Sequence, residues 1–211
     1  MKRVIVLSLS LLLVVVVSFS SCKSEKKVDS KEEIKVEVKK SSAAFSLEKA
    51  KNEINFIAYK TSDKVPVGGQ FKKVNIISGG EGNTIKEAIN NTEFSIPISS
   101  LFTKNSSRDY KIKKFFFGIM DNTKLLSGKL IIENDSIGYA NIKMNGITAK
   151  VPFEFRIEAN TFFLNGKMNV TKWNAVEALN SLNLVCKELH RGADGVSKTW
   201  SEVALNIVST F

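Results

Sequence analysis

The sequence predicts a mainly β protein, a closed antiparallel β-barrel with one substantial helix and one short helix. Apolar and polar side chains alternate along residues 147–157, and a second alternating run follows a short turn at residues 158–160. The apolar face of that second run carries Phe162, Leu164, Gly166, Met168 and Val170. Because successive side chains of a strand point to opposite faces, each run has one dry and one wet face. Two such strands indicate an antiparallel sheet curled around its apolar side.

The first half of the folded region is predicted to form strands at residues 43–47, 53–60, 71–78 and 92–99. Residues 66–70 contain Pro66, Gly68 and Gly69, and we expect them to interrupt the sheet. Thr84 is followed three residues later by Glu87, which is a capping pair and predicts a short helix over residues 84–90.

The second half is predicted to form strands at residues 124–134, 136–144, 147–157, 161–171 and 199–211. Asn145 and Gly146 are a hairpin turn signal. Pro152 has no N–H to donate to a ladder, so it predicts a bulge or a locally exposed edge. Closing about nine strands into a barrel removes the sheet edges, and a barrel of about eight strands has room for one small ligand.

Residues 174–190 predict the substantial helix. Asn174 and Glu177 form a capping pair at its start, and Gly192 is a natural stop beyond its end. A single apolar stripe at helical spacing is expected to face the barrel. The stripe consists of Val176, Leu179, Leu182, Val185, Cys186 and Leu189.

Residues 1–21 predict a lipoprotein signal peptide that ends just before Cys22. Lys2 and Arg3 give it a positive start, and the apolar run at residues 4–17 is too short to span a membrane. A Cys after small residues resembles the lipobox of bacterial lipoproteins, so we expect Cys22 to be acylated and to anchor the chain. The alternative is an ordinary cleaved signal with an incidental Cys.

The chain after Cys22 is predicted to divide into a disordered tether over residues 22–42 and a folded domain over residues 43–211. The tether is rich in lysine and acidic residues and poor in apolar ones, so it cannot form a core. A signal of this kind places the protein in the cell envelope, as a membrane-anchored lipoprotein that faces the periplasm or is exposed on the outer membrane. The sequence does not define its oligomeric state.

The formal net charge is +10, or +8 without Lys2 and Arg3 of the leader. A basic surface suits nucleic acid, an anionic membrane or an acidic ligand, and export argues against nucleic acid. The strongest basic stretch spans residues 104–114. Arg108, Lys111, Lys113 and Lys114 in it are candidate contacts for an anionic headgroup or membrane, and the alternative is a solvated segment that aids solubility.

Nothing in the sequence favours an enzyme, a cofactor or a metal site. His190 is the only histidine, and there is no Gly-x-Ser-x-Gly motif. Cys186 and His190 lie four residues apart on the predicted helix, but zinc needs three or four protein ligands. We therefore expect His190 to lie at a helix end and Cys186 to be a small buried apolar residue.

A series of short motifs resembles the YceI-like family of exported lipid-binding proteins over residues 43–211. The landmarks, in chain order, are Val67-Gly-Gly-Gln-Phe71, Ser99-Ser-Leu101, Arg108-Asp109, Phe116-Phe117, Leu126-Ser-Gly128, Met144-Asn-Gly146 and the run from Cys186 to Trp200. The resemblance implies a lipocalin-like barrel with a long isoprenoid or similar amphiphile inside. Many members carry a His and an Asp where this chain has Lys111 and Phe115, so polar contacts of those two residues are not carried over.

The predicted function is binding, storage or transfer of an apolar-chained, isoprenoid-like amphiphile in the bacterial cell envelope by a protein that is not an enzyme. The expected partners are that lipid and the membrane reached through Cys22. The residues expected to line the cavity are Leu130, Ala149, Phe153, Phe155, Phe162, Leu164 and Met168. The same apolar face also suits a solid core, which would leave a ligand-free envelope interaction module.

Overall fold

The computed structural model describes residues 42–211. The predicted signal peptide, almost all of the predicted tether, and Cys22 lie outside these residues. The strands are β1 Phe45–Ser46, β2 Lys51–Lys60, β3 Val65–Phe71, β4 Asn75–Ser78, β5 Glu81–Gly82, β6 Glu93–Pro97, β7 Leu101–Phe102, β8 Leu125–Ile132, β9 Ile137–Met144, β10 Ile147–Glu158, β11 Thr161–Asn169 and β12 Glu202–Thr210. The α-helices are α1 Ile85–Ile89, α2 Ser106–Phe115 and α3 Val176–Val185. Four 3-10 helices complete the list, at Ile98–Ser100, Phe117–Ile119, Val170–Trp173 and Glu188–His190.

Ten of the strands form one antiparallel sheet in the order β4-β6-β8-β9-β10-β11-β12-β2-β3-β7. Strands β1 and β5 form a separate two-stranded sheet. Strands β8, β9, β10 and β11 are neighbours both in the sheet and in sequence, which is the pattern of a meander joined by short turns. The predicted turn at Asn145 and Gly146 is present, and both residues have the positive φ that a tight hairpin turn requires.

The sheet curls into an open half-barrel, so the predicted closed barrel is wrong. Strands β4 and β7 are its two edges, because β4 pairs only with β6 and β7 only with β3. The chain crosses the gap between these edges twice, once between β3 and β4 and once through the 3-10 helix Ile98–Ser100. The two crossings are joined by a hydrogen bond from Lys72 N to Ser100 O at 3.0 Å. Pro97 has no N–H, and a 3-10 turn follows it directly, so no ladder continues from β6 into β7.

Three phenylalanine rings on the inner face lie over glycines on adjacent strands. Phe153 pairs with Gly138, Phe94 with Gly128 and Phe56 with Gly69. A Cβ added at Gly138 would stand 2.7 Å from the ring of Phe153, and one at Gly128 would stand 2.8 Å from Phe94. These glycines are therefore required for close approach, and the rings lie along the wall.

Strands β10 and β11 are the two alternating runs predicted from the sequence, and both are confirmed. Along β10, buried Val151, Phe153 and Phe155 alternate with exposed residues. Pro152 pairs with Tyr139 of β9 without a register shift, so no bulge forms there. On its other side, pairing with β11 begins only at Phe153, so Pro152 lies at a locally exposed edge, as its missing N–H predicts.

Residues 66–70 do not interrupt the sheet, because they form most of β3. Pro66 pairs with Tyr59 of β2. The carbonyl of Tyr59 points away from β3 and accepts a hydrogen bond from Trp200 N. The backbone of Pro66 therefore faces the unpaired side of β3, where no N–H is needed. The sheet does break later, because the predicted strand at residues 71–78 is divided between the end of β3 and β4.

One of the three helices matches its prediction and two do not. Helix α1 has the predicted capping box between Thr84 and Glu87. Helix α2 was not predicted, and it begins where Asn105 Oδ1 accepts from Arg108 N. Helix α3 is shorter than the predicted helix at both ends, and Asn174 does not cap it but ends the preceding 3-10 helix in a left-handed conformation.

The interior contains two apolar clusters. One lies under α2 and α3 and includes Phe71, Phe117, Met144, Trp173 and Ala178. The other lies under α1 and β1 and includes Leu47, Ile89, Phe155 and Phe162. Trp173 is fully buried, and its Nε1 donates to Ile142 O at 2.9 Å, which satisfies the ring's polar atom. No helix within residues 42–211 is long and apolar enough to cross a membrane.

Candidate functional site

A cavity of about 220 Å³ extends between the two apolar clusters. Its wall is almost entirely hydrocarbon and comes from all ten strands of the large sheet, together with α1, α2 and α3. The polar side chains on the wall are few: Asn52, Asn55, Thr199 and Ser209. The half-barrel therefore does not have a solid core, and the space can accept an apolar group but offers little to hold a polar one.

Five of the residues predicted to line the cavity do so, and two do not. Leu130, Phe153, Phe162, Leu164 and Met168 are on the wall. Phe155 is buried outside the cavity, where its ring packs against Phe153 and Phe162 with centroids 6.3 and 5.2 Å apart. Ala149 packs against the cluster under the helices without reaching the cavity. That these residues bind ligand stays a prediction.

The helices close one end of the cavity. Ile112 of α2, Phe116 directly after that helix, and Leu179 and Leu182 of α3 lie on the wall at this end. Helix α2 is fixed to the sheet through Asp109, whose Oδ1 accepts from Thr103 N at 2.8 Å and from Thr103 Oγ1 at 2.6 Å. Arg108 and Asp109 therefore have different roles: Asp109 holds α2 against the sheet, whereas the side chain of Arg108 is exposed.

Lys60, Arg108 and Lys111 lie near enough to His190 and Cys186 to act on the pKa of both, and we call these three residues the cationic cluster. Arg108 precedes cavity-lining Ile112 by one helical turn, so both lie on the same face of α2. Lys60 Nζ donates to Leu189 O at 2.8 Å. Within residues 42–211, none of the three forms an ion pair with a carboxylate, so their charge is not neutralised there.

His190 connects the cationic cluster to the cavity wall. Its Nδ1 lies 2.7 Å from the hydroxyl of wall residue Thr199, which in turn donates to Asn183 Oδ1 at 2.9 Å. Thr199 therefore accepts from Nδ1–H. Burial and the nearby charges of Lys60, Lys111 and Arg108 lower the pKa of His190 to about 4, so the ring is neutral at pH 7.

Cys186 lies beside His190 and is buried with a free thiol. Burial raises the pKa of this thiol, while Lys111, Lys60 and Arg108 act in the opposite direction. The prediction of a small buried apolar residue fits this position. His190 lies at a helix end, as expected, because it is the last residue of the 3-10 helix Glu188–His190, and its ring bonds Thr199.

Two of the four candidate headgroup contacts, Lys113 and Lys114, already bind other groups of the protein. Lys113 Nζ donates to Ser99 O at 2.8 Å, and Lys114 Nζ lies 2.9 Å from Tyr110 Oη and over the rings of Tyr110 and Phe115. Arg108 and Lys111 belong to the cationic cluster at the cavity end. Lys60 was missed by the sequence analysis, because it lies far from residues 104–114 in the chain and its β2 strand only approaches them in the fold.

Within the described part of the chain, no three His, Cys, Asp or Glu side chains are grouped closely enough to hold a metal ion. The chemistry that the site does offer is apolar enclosure with positive charge at one end. That is the arrangement of a binding site for an amphiphile.

Comparison with known proteins supports the fold. A polyisoprenoid-binding domain from Saccharophagus degradans, implicated in plant cell wall breakdown, has a similar structure, with a TM-score of 0.54 at 11% identity over 75% of this chain and 91% of that one. BcnA from Burkholderia cenocepacia gives a TM-score of 0.51 at 13% identity over 79% and 99% of the two chains. No curated protein matches the chain. Residues 45–211, nearly the whole described region, match the YceI-like domain. The chain therefore belongs to the YceI-like domain family.

Proposed function

We propose that this protein binds an apolar-chained amphiphile in its half-barrel and stores or transfers it in the bacterial cell envelope. The observation that carries the proposal is the cavity of about 220 Å³ with an almost entirely apolar wall. A binding role needs no catalytic step, so we propose that the protein is not an enzyme. Its membership of the YceI-like family supports lipid binding, and the similar S. degradans domain is described as polyisoprenoid-binding.

The binding energy for such a ligand would come from apolar contact. Burial of apolar surface is worth roughly 25 cal/mol per Å², so about 200 Å² of chain surface would contribute about 5 kcal/mol. Ordering of a flexible chain removes part of that gain. We therefore expect affinity to increase with chain length. An isoprenoid-like chain fits this expectation, because it is long and carries no polar group that the wall would leave unpaired.

The polar head of the ligand would lie at the helical end of the cavity. We propose that Lys60, Arg108 and Lys111 contact an anionic head there, because their charges have no carboxylate partner in the described region. Thr199 lies at the same end, but its hydroxyl hydrogen is already donated to Asn183 Oδ1. Lys113 and Lys114 are less suited to this role, since both already contact other groups.

The cell-envelope part of the proposal depends on residues outside the described region. We propose that residues 1–21 are a lipoprotein signal peptide, that Cys22 is acylated and anchors the chain, and that residues 22–42 are the tether. The domain of residues 43–211 would then be held near the membrane that supplies or receives its ligand.

Ligand binding in the cavity is tested by filling the space with a larger side chain. Ala140 lies on the wall, so Ala140→Phe should occupy the space that a ligand chain needs. We expect it to reduce uptake of a prenyl alcohol, delivered from detergent micelles, by tenfold or more while the melting temperature changes little.

The matched control is Ala149→Phe, which makes the same change on β10 outside the cavity. It should overpack the core and destabilise by about 1–3 kcal/mol, while the folded fraction still takes up ligand. If Ala140→Phe lowers the melting temperature as much as Ala149→Phe does and uptake is unaffected, the cavity is not the binding site.

The headgroup site is tested with two ligands of one chain length, a prenyl phosphate and a prenyl alcohol. Lys60→Gln combined with Lys111→Gln should weaken phosphate binding about tenfold at low salt and leave alcohol binding nearly unchanged, because only the charged head loses its partners. Lys113→Gln with Lys114→Gln is the control for net charge. An equal loss in both double variants would mean that only the overall charge matters.

The anchor is tested by cell fractionation. Cys22→Ser removes the acceptor thiol, so the protein should leave the membrane fraction after a high-salt wash, whereas the unchanged chain should remain. A Cys22→Ser protein that stays with the membranes after the wash would show that acylation of Cys22 is not the anchor.

A further inference from the structure

The surface beside the cavity's helical end exposes several large apolar side chains. Leu184 is 73% exposed, more than any other large apolar residue in the described region, and Leu189 and Val196 are 59% and 52% exposed. All three lie in residues 183–198, between the second half of α3 and β12. Three exposed apolar residues of this size on one segment make the segment a candidate interaction surface.

Hydrogen bonds hold this segment together as one surface. Asn183 Nδ2 donates to Ser197 O at 3.3 Å, and Ser197 Oγ donates back to Asn183 Oδ1 at 3.2 Å. Gly192 N donates to Val196 O at 2.9 Å, which closes a small loop. These contacts bring the neighbours of Leu184 and Val196 together, and Lys60 joins the segment to β2 through Leu189 O.

Positive charge surrounds the exposed apolar residues. Residues 183–198 contain Lys187, Arg191 and Lys198, and the cationic cluster of Lys60, Arg108 and Lys111 lies beside them. Only two carboxylates oppose these six cations within the same set. Glu188 pairs with Arg191 at 2.6 Å, and Asp194 Oδ1 accepts from Val196 N at 3.0 Å.

The surface adjoins the place where the cavity ends. Leu182 and Thr199, which lie just before and just after the segment, are both on the cavity wall. A ligand leaving or entering the half-barrel at this end would therefore pass close to Leu184, Leu189 and the surrounding cations.

We propose that residues 183–198, together with the cationic cluster, dock onto an anionic lipid bilayer and form the site of ligand exchange. The surface combines single apolar side chains with many lysines and arginines, which is the composition of interfacial membrane contacts. A protein partner fits less well, because the centre of a protein interface is depleted of charged residues, whereas here cations lie among the leucines. This inference deepens the proposed function and rests on it for its role in transfer.

Vesicle sedimentation tests the docking surface directly. The full chain carrying Cys22→Ser is mixed with vesicles of phosphatidylcholine alone or of phosphatidylcholine with phosphatidylglycerol, and the neutral vesicles report binding through the apolar run of the leader. We expect tighter binding to the anionic vesicles, weakened by added salt. Leu184→Gln with Leu189→Gln should reduce that binding about tenfold, and Lys187→Gln or Lys198→Gln should reduce it about fivefold each at low salt.

The control variant is Ile77→Gln with Ile137→Gln. Both isoleucines are exposed, at 61% and 40%, and lie on β4 and β9 away from the segment. The docking proposal is overturned if anionic vesicles are bound no better than neutral ones, if the control loses as much binding as the leucine variant, or if the leucine change instead dissociates a dimer. Uptake from detergent micelles needs no bilayer, so its persistence in any of these cases would leave the proposed function standing.

Discussion

The close approach of inward phenylalanines to glycines on neighbouring strands is the packing on which the site depends. Phe153, Phe94 and Phe56 each lie over a glycine of the adjacent strand, where any Cβ would collide with the ring. The rings can therefore lie along the wall instead of projecting across the interior. The sheet gains a large apolar surface in this way, and the centre of the half-barrel stays open for a chain.

The cavity and the charged surface are linked by a short chain of contacts. Thr199 belongs to the cavity wall and bonds His190, and His190 lies among Lys60, Arg108 and Lys111. Burial is the main cause of the lowered pKa of His190, and the positive charges that add to this effect are available to an anionic head at that end. An apolar interior that ends beside these three cations would orient an amphiphile with its chain inward and its head toward the proposed docking surface.

Period-two alternation was enough to predict β10 and β11, because a one-residue slip would place the apolar residues in water. The alternation showed on which face of the sheet each side chain lies, but not whether that side chain borders the cavity. Phe155 and Ala149 were therefore predicted to line the cavity, although they lie outside it. Helix α2 has no buried residue and hence no apolar stripe to reveal it. The gap between β4 and β7 results from the pairing of strands that are distant in sequence, and Lys60 is placed by its contact with Leu189. A local sequence pattern reveals neither of these long-range contacts.

The most direct test of a ligand-holding half-barrel is to purify the protein from a bacterium under mild conditions, extract it with organic solvent and identify the lipid by mass spectrometry. We predict an amphiphile with a long apolar chain, close to one per protein molecule, and its loss when the chromatography includes a detergent that competes for the cavity. Recovery of no lipid from folded protein, or of only the mixed phospholipids of the membrane in no fixed ratio, would contradict it.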